Sequence, residues 1–166
     1  MRTLLLLVAV VALSLPVAAQ RYSVDPRFGF GFDAVVVPPG QDMLPEGLGL
    51  GIRGRVAVPV NRDLSVAGGV GVAGFVFQGQ DDASYVFTPQ LSVILTLPRR
   101  DSARYLLGGF GGVIPSEGSG GPSLHLGVGW AFPLHDTSLY VEVDPALVVG
   151  SRETTVVIPL RVGVIF

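Results

Sequence analysis

Residues 48–60 read LGLGIRGRVAVPV, and the alternation along this stretch decides the fold. Bulky aliphatic side chains recur at every second position, which is the period of a β-strand and not of a helix. The positions between them are small or charged, so one face of the strand is apolar and the other carries two arginines. The apolar face holds Leu48, Leu50, Ile52, Val56, Val58 and Val60, and the other face holds Gly49, Gly51, Arg53, Arg55 and Ala57.

Three segments in the second half of the chain repeat this two-faced pattern. In each of them the bulky face is free of charge, and the opposite face combines small residues with a few ionisable ones. These faces are Leu124, Leu126, Val128, Trp130 and Phe132 against His125, Gly127 and Gly129; Leu139, Val141, Val143 and Leu147 against Tyr140, Glu142, Asp144 and Ala146; and Val156, Ile158, Leu160, Val162, Val164 and Phe166 against Arg161 and Gly163.

The whole region after residue 27 shows a period of two and no helical period. Clusters rich in Gly, Pro, Asn and Asp separate the segments and supply the residues that chain reversals need. The eight predicted strands are residues 28–37, 48–60, 64–77, 85–97, 104–114, 123–132, 138–149 and 155–166.

The composition of the two faces indicates which solvent each one meets. A soluble barrel or sandwich would bury its bulky face and present Lys, Glu and Thr to water, whereas here the second face is mostly glycine and alanine. Small residues with a few charges suit the narrow interior of an eight-stranded barrel, and bulky aliphatic residues suit a surface in contact with lipid. The sequence therefore predicts an all-β fold, an eight-stranded antiparallel up-and-down transmembrane β-barrel.

The N-terminal residues have the features of a secretory signal peptide. Arg2 precedes an apolar run over residues 4–15, and small residues follow Pro16. The run is shorter than the roughly 20 residues of a membrane-spanning helix, which disfavours an anchoring helix. We expect residues 1–19 to be cleaved after Ala19 and residues 20–166 to form a single barrel domain.

The overall composition excludes several classes of function. Cysteine is absent, so neither disulfides nor thiol chemistry is available. The chain is 49% hydrophobic and only 14% charged, with 23 glycines, yet no apolar helical run follows the N-terminal one. The formal net charge of -2 provides no basic face for nucleic acid. No motif indicates a cofactor.

Charged residues on the small-residue faces predict one buried network in the lumen. Counting residues from the loops places Asp33 and Arg53 at one depth on neighbouring strands. Three acidic and three basic residues balance one another, which limits the penalty for burying them. We expect the network to fill the lumen, with a polar path for ions or a small solute as the alternative. Its predicted members are Asp33, Arg53, Arg55, Glu142, Asp144 and Arg161, with Gln90 and His125 as additions.

Aromatic residues predict two girdles at the membrane interfaces. Phe77, Tyr85 and Phe87 are expected near the outer rim, and Tyr105, Trp130, Phe132 and Phe166 near the periplasmic rim. By alternation Phe75 and Phe77 face inward, so either a bulge near Gly68 and Gly69 shifts the register or these rings fill the lumen.

Four prolines lie within predicted strands, where each removes a hydrogen bond from the ladder. Pro59, Pro89 and Pro145 lie toward the rims, where bulges are tolerated. Pro159 lies well inside the last strand, and we expect a bulge or a water molecule there.

Enzymatic activity is not expected. Ser123, His125 and Glu142 are the residue types of a nucleophile, a base and an orienting group, but their spacing does not place Glu142 beside the imidazole. Asp81, Asp82 and Glu117 are interpreted as solvated loop charges that could also bind a divalent cation. No spacing typical of metal ligands is present.

The signal peptide, eight amphipathic strands, short turns and terminal Phe166 together resemble the small OmpA/OmpX-like outer-membrane barrels of Gram-negative bacteria. The resemblance covers the chain after the signal peptide and implies a cell-envelope protein with lipid as its surroundings. It also implies that the barrel assembly machinery reads the last strand, whose alternating apolar positions are Leu160, Val162, Val164 and Phe166. Gly163 departs from the usual pattern because it lies closer to the end.

The resulting functional expectation is an outer-membrane barrel that is structural or has a plugged or narrow lumen, without catalysis. A porin-like pore for ions or small solutes is one alternative. A soluble periplasmic barrel that binds an apolar ligand is the other.

Overall fold

Residues 25–39, 44, 47–75, 84–98, 102–116, 119–150 and 153–166 are described by a computed structural model. Within these ranges the chain forms nine β-strands. They are β1 (Arg27–Val37), β2 (Gly47–Pro59), β3 (Leu64–Phe75), β4 (Ser84–Pro98), β5 (Ala103–Pro115), β6 (Gly121–Leu134), β7 (Thr137–Val143), β8 (Ala146–Val149) and β9 (Thr154–Ile165). No helix long and apolar enough to cross a membrane occurs in the described part of the chain.

β7 and β8 are two halves of a single pass across the sheet. Both pair with β6 and with β9, and the register of β7 continues unchanged into β8 on either side. Only Asp144 and Pro145 lie between them. The nine strands therefore make eight passes.

The sheet is closed, because β1 pairs with the last strand as well as with β2. Asp33 lies opposite Arg161 in the β1 and β9 ladder, and Phe28 and Phe166 exchange backbone hydrogen bonds of 3.2 and 2.8 Å at its end. All pairs are antiparallel. The predicted fold class, an eight-stranded antiparallel up-and-down barrel, is confirmed.

The two ends of the barrel differ in their connections. At the turn end, the strands are joined by residues 60–63, 99–102 and 135–136, and both Arg27 and Phe166 lie there. Asn61 caps one turn by accepting backbone hydrogen bonds from Asp63 (2.9 Å) and Leu64 (2.8 Å). At the loop end, the connections are residues 38–46, 76–83, 116–120 and 150–153. Asp81, Asp82 and Glu117, interpreted from the sequence as solvated loop charges, fall outside the described residues, as does the predicted signal peptide.

Bulky apolar side chains point away from the barrel axis. Leu126 is 73% exposed, Leu124 64%, Phe32 63% and Phe110 60%, although all four lie within strands. The opposite parity points into the lumen and is mostly buried or half-buried. The orientation predicted from residues 48–60 is thus the one observed, with Leu48, Leu50 and Ile52 outside and Arg53 inside.

The described strands contain no bulge at the two places where the sequence allowed one. The registers of β3 with β2 and with β4 run without a shift through Gly68 and Gly69, so Phe75 faces inward and is buried, which is the second of the two alternatives. Phe77 lies outside the described residues. At Pro159 there is no bulge either, because β9 keeps one register with β1 from Gly29 to Val36.

Prolines are accommodated by local gaps in the ladder. Pro159 accepts a hydrogen bond from the Asp144 amide (3.2 Å) but has no N–H to return. Pro145 likewise accepts a backbone hydrogen bond from the Leu126 amide (3.1 Å) and has no N–H to donate. On each side of the interruption between β7 and β8, one hydrogen bond therefore forms where a regular pair would form two. A similar gap occurs at Pro89, which does not pair with β5, although the register of β4 with β5 is the same before and after it.

The aromatic girdles form only in part. Tyr85, Phe87, Trp130, Phe132 and Phe166 lie on the outer surface toward the rims, as predicted. Tyr105 does not, because its parity directs it into the lumen, where it is 5% exposed. Phe32 and Phe110 add aromatic rings to the middle of the outer surface.

Candidate functional site

Eight polar residues predicted from the sequence meet in one hydrogen-bonded network in the lumen. The strands contribute them from around the whole barrel, and all are buried or half-buried. We refer to this set as the polar network. Its members are Asp33 on β1, Arg53 and Arg55 on β2, Gln90 on β4, His125 on β6, Glu142 on β7, Asp144 in the interruption, and Arg161 on β9.

Arg161 is the centre of the polar network. Its Nη1 donates to Glu142 Oε1 (2.5 Å) and to Asp144 Oδ2 (2.6 Å), and its Nε lies 3.7 Å from Asp33 Oδ1. The register explains this geometry, because Arg161 lies directly opposite Asp33 on one side and Glu142 on the other. A single guanidinium therefore joins both ladders of β9.

Arg53 uses all three of its nitrogens. Nε donates to Asp33 Oδ2 (2.9 Å), Nη1 to Gln90 Oε1 (2.8 Å) and Nη2 to Thr88 Oγ1 (2.9 Å). The contact with Asp33 is the pairing that residue counting predicts. Because Arg53 is only 5% exposed, these bonds replace almost all of its hydration.

Arg55 extends the network toward the turn end. Its Nη1 donates to Glu142 Oε2 (2.8 Å), and the guanidinium carbon lies 5.0 Å from the centre of the Tyr140 ring. Tyr105 donates its hydroxyl to the same Glu142 oxygen (3.0 Å). Glu142 is fully buried, and these contacts with Arg55, Tyr105 and Arg161 compensate its charge.

His125 links Asp144 to a serine that the sequence did not indicate. Its Nδ1 lies 2.8 Å from Asp144 Oδ1, and its Nε2 lies 3.3 Å from Ser92 Oγ. Gln90 Nε2 also lies 2.8 Å from His125 Nδ1, and the backbone oxygen of Leu91 lies 3.4 Å from His125 Nε2. Gln90 Nε2 donates to the second Asp144 oxygen (2.7 Å) and completes this part of the polar network.

The order Ser92, His125 and Asp144 is that of a nucleophile, a base and an orienting acid. The residues suggested by the sequence, Ser123, His125 and Glu142, do not form this chain, because Glu142 bonds to the arginines and Tyr105. Ser92 is 6% exposed and lines neither of the two lumen cavities described below. His125 and Asp144 line the smaller of these cavities, whereas Ser92 does not.

An apolar cluster, which we refer to as the plug, lies in the lumen on the loop side of the polar network. It contains Phe75, whose ring lies against Gly49 of the adjacent strand β2, and smaller side chains from the surrounding strands. A cavity of about 50 Å³ separates it from the polar network. The plug consists of Val37, Leu44, Ala73, Phe75, Val86, Val113, Val148 and Val157.

On the turn side, a second apolar cluster narrows the lumen and a cavity follows it. The cluster contains Ala67, Ile94, Tyr105 and Leu107. The cavity beyond it has a volume of about 380 Å³ and reaches from Arg55 to the turn at residues 135–136. We refer to it as the turn-end cavity.

Inward glycines make room for the large polar side chains. A Cβ on Gly71 would lie 2.8 Å from Arg53 Nη2, and one on Gly127 would lie 2.7 Å from Asp144 Oδ1. A Cβ on Gly109 would lie 2.9 Å from His125 Nε2. Glycine on this parity is therefore a packing requirement of the polar network.

We expect Gly71→Ala to lower the free energy of unfolding by about 1 to 3 kcal/mol, because the new methyl group overlaps Arg53 and Thr88. Gly68→Ala on the same strand is the matched control, since a Cβ there meets nothing within 4 Å. The control should be neutral or slightly stabilising. Urea unfolding in lipid vesicles, followed by fluorescence of the single tryptophan, measures both variants. Equal effects of the two substitutions would contradict the packing argument.

Sequence reasoning missed several members of the site. Thr88 and Ser92 share the inward parity, which is the signal that could have found them, but they carry no charge to attract attention. Tyr140 is predicted on the inward face, but without its contact to Arg55. No group of three or more His, Asp or Glu side chains within the described ranges could hold a metal ion.

A closed eight-pass antiparallel barrel with bulky apolar residues outside and a polar lumen is the fold of small outer-membrane β-barrels. The residues predicted as the assembly signal lie on its last pass, where Leu160, Val162 and Phe166 are exposed on the outer surface and Val164 is half-buried.

Solved structures of such proteins superpose on this chain along most of its length. Neisserial surface protein A has a TM-score of 0.66 at 12% identity, over 84% of this chain and 94% of that one. The attachment invasion locus protein Ail of Yersinia pestis has a TM-score of 0.57 at 16% identity, over 85% and 97%. The N-terminal β-barrel domain of Pseudomonas aeruginosa OprF has a TM-score of 0.53 at 12% identity, over 85% and 97%. No family model and no curated protein matches the sequence.

Proposed function

We propose that this chain is a structural outer-membrane β-barrel protein with a closed lumen and no catalytic activity. The observation that carries the proposal is the filling of the bore, by the plug on the loop side and by the polar network in the middle. An eight-stranded barrel has an interior that side chains can fill, so closure is physically reasonable.

The outer surface supports a membrane location. Large apolar side chains are exposed along every pass, and such a surface in water would be far larger than the apolar patches of soluble monomers. The closed ladder leaves no unpaired strand edge, which lipid could not solvate. These two features together disfavour the soluble periplasmic barrel.

The ion pairs favour a plug over a pore. Arg53, Arg161 and Glu142 are each held by contacts with other members of the polar network, so a passing ion would have to displace a bonded partner. Beyond them, the plug provides no polar group at Phe75, Val148 or Val157. An ion in the lumen would therefore meet two barriers, the ion-paired side chains of the polar network and the apolar side chains of the plug.

We also propose the route and the partners. Residues 1–19 act as a cleaved export signal, and outer-membrane lipid surrounds the barrel. The turn end faces the periplasm, because short turns lie on that side in such barrels. The barrel assembly machinery recognises Leu160, Val162, Val164 and Phe166. Nucleic acid is not a partner, and no cofactor takes part.

Conductance in planar lipid bilayers tests the closed lumen. We expect the refolded protein to produce no current steps in concentrated KCl, while a conducting porin in the same bilayers serves as the positive control. Phe75→Ala should stay silent as well, because the polar network still blocks the bore. Heat-modifiable migration in SDS gels verifies that each sample is folded. Current steps from the parent protein whose ion selectivity changes in Arg53→Gln would contradict the closed lumen and show that the barrel is a pore.

A further inference from the structure

The turn-end cavity combines a cationic floor with apolar walls. Its volume of about 380 Å³ lies within the usual range of small-molecule sites, about 300 to 1,000 Å³. Arg55 lies at its deep end and Arg27 at its rim. Neither the plug nor the rest of the polar network lines it, so it is separate from the closed part of the lumen.

Arg55 lines the cavity and is fixed in position by its partners. Its Nη1 donates to Glu142 Oε2 at 2.8 Å, and 12% of its side chain remains exposed. The guanidinium is held in place by Glu142 and by the Tyr140 ring, so little motion is lost when it binds an anion.

The charges around the cavity favour an anion over a cation. Glu142, the acidic group nearest the floor, is fully buried and already accepts from Arg55, Tyr105 and Arg161. Asp136 is the acidic residue that lines the cavity, and it lies on the exposed turn at the opposite end from Arg55.

The walls favour a ligand with an apolar part. Ile94, Ala57 and Ala131 line the middle of the cavity, and Tyr105 adds an aromatic ring. We propose that the turn-end cavity binds a small amphipathic carboxylate, with its charged group on Arg55 and its apolar part against Ile94, Ala57 and Ala131. The ligand enters from the turn end and does not cross the barrel.

Fluorine NMR on the full barrel in lipid nanodiscs tests this proposal. The probe is para-fluorophenylacetate, and para-fluorophenylacetamide is the neutral analogue of the same shape. We expect saturable binding of the carboxylate and binding of the amide weaker by about tenfold or more, the loss expected when a charge-assisted hydrogen bond is absent. No binding of the carboxylate, or equal binding of the two probes, overturns the proposal.

Two variants separate the binding site from general effects on folding. Arg55→Gln should reduce carboxylate affinity to that of the amide. Because Arg55 also belongs to the polar network, Ala131→Leu provides an independent test that fills the cavity without removing an ion pair. Ala34→Leu on the outer surface is the matched control and should bind the carboxylate normally. Heat-modifiable migration confirms folding of each variant, and unchanged carboxylate binding by folded Ala131→Leu overturns the proposed location.

Discussion

Replacing Arg161 with methionine should destabilise the barrel by about 3 to 5 kcal/mol, the range expected when one partner of a buried ion pair is removed. Methionine retains much of the apolar stem but none of the donors. Glu142 Oε1 and Asp144 Oδ2 would each lose a close hydrogen bond, and Asp33 would lose the more distant of its two arginines while it keeps Arg53. The polar network would then hold three carboxylates against two arginines.

Urea unfolding in lipid vesicles measures the loss, and two further variants identify its cause. Arg62→Gln removes an arginine from an exposed turn and should change stability by less than about 0.5 kcal/mol. Adding Glu142→Gln to Arg161→Met restores the balance of charge, so the double variant should lose less than the sum of the single variants. An Arg161→Met barrel as stable as the parent would show that the polar network does not stabilise the pairing of β1 with β9.

Placing an arginine at Leu126 should lower stability by about 2 to 4 kcal/mol in lipid bilayers, because this residue lies in the middle of β6 on the outer surface. Leu126 is 73% exposed, so the substitution creates no clash inside the protein. The same change on a soluble protein would be nearly neutral, since water hydrates the new charge. The sign and size of the effect therefore report the solvent around the barrel.

Leu134→Arg is the matched control for depth. Leu134 is 51% exposed and ends β6 at the turn end, where an arginine should cost about 0 to 1 kcal/mol. Both variants are unfolded from vesicles of the same lipid and compared with the parent. Equal and negligible losses at the two depths would indicate that water, and not lipid, covers the outer surface.

The fold was predictable because the sequence alternates with a period of two and the two faces of each strand differ strongly, one bulky and apolar, the other small or charged. In residues 48–60 every charge falls on one parity, so register and orientation follow together. The contacts of Asp33 with Arg53 and of Glu142 with Arg161 follow from counting residues along adjacent strands. Opposite charges that lie at the same depth on the inward face of neighbouring strands have few other partners, so they are expected to pair.

Where this contrast is weak, the sequence misled or was silent. In β5 both parities carry bulky apolar residues and the charged residue, Arg104, lies on the outward one, so nothing marks Tyr105 and Leu107 as inward, and an aromatic near a rim is easily assigned to a girdle. Ser92 and Thr88 are neutral and small, so their roles depend on the side chains that reach them. At Pro159 the sequence could not decide between a bulge and a gap in the ladder; the structure has a gap at constant register, which leaves the outward and inward faces unchanged, whereas a bulge would exchange them.

Arg161 lies on the last pass, so closing the barrel also brings the third arginine into the polar network. Its acidic partners lie on β1 and at the end of β7, so until β9 is in place those carboxylates face a lumen with one cation too few. A seven-pass intermediate is therefore electrostatically incomplete as well as open at its edge. The same guanidinium that neutralises the interior also joins strands more than a hundred residues apart in the sequence, a long-range contact of the kind that slows folding.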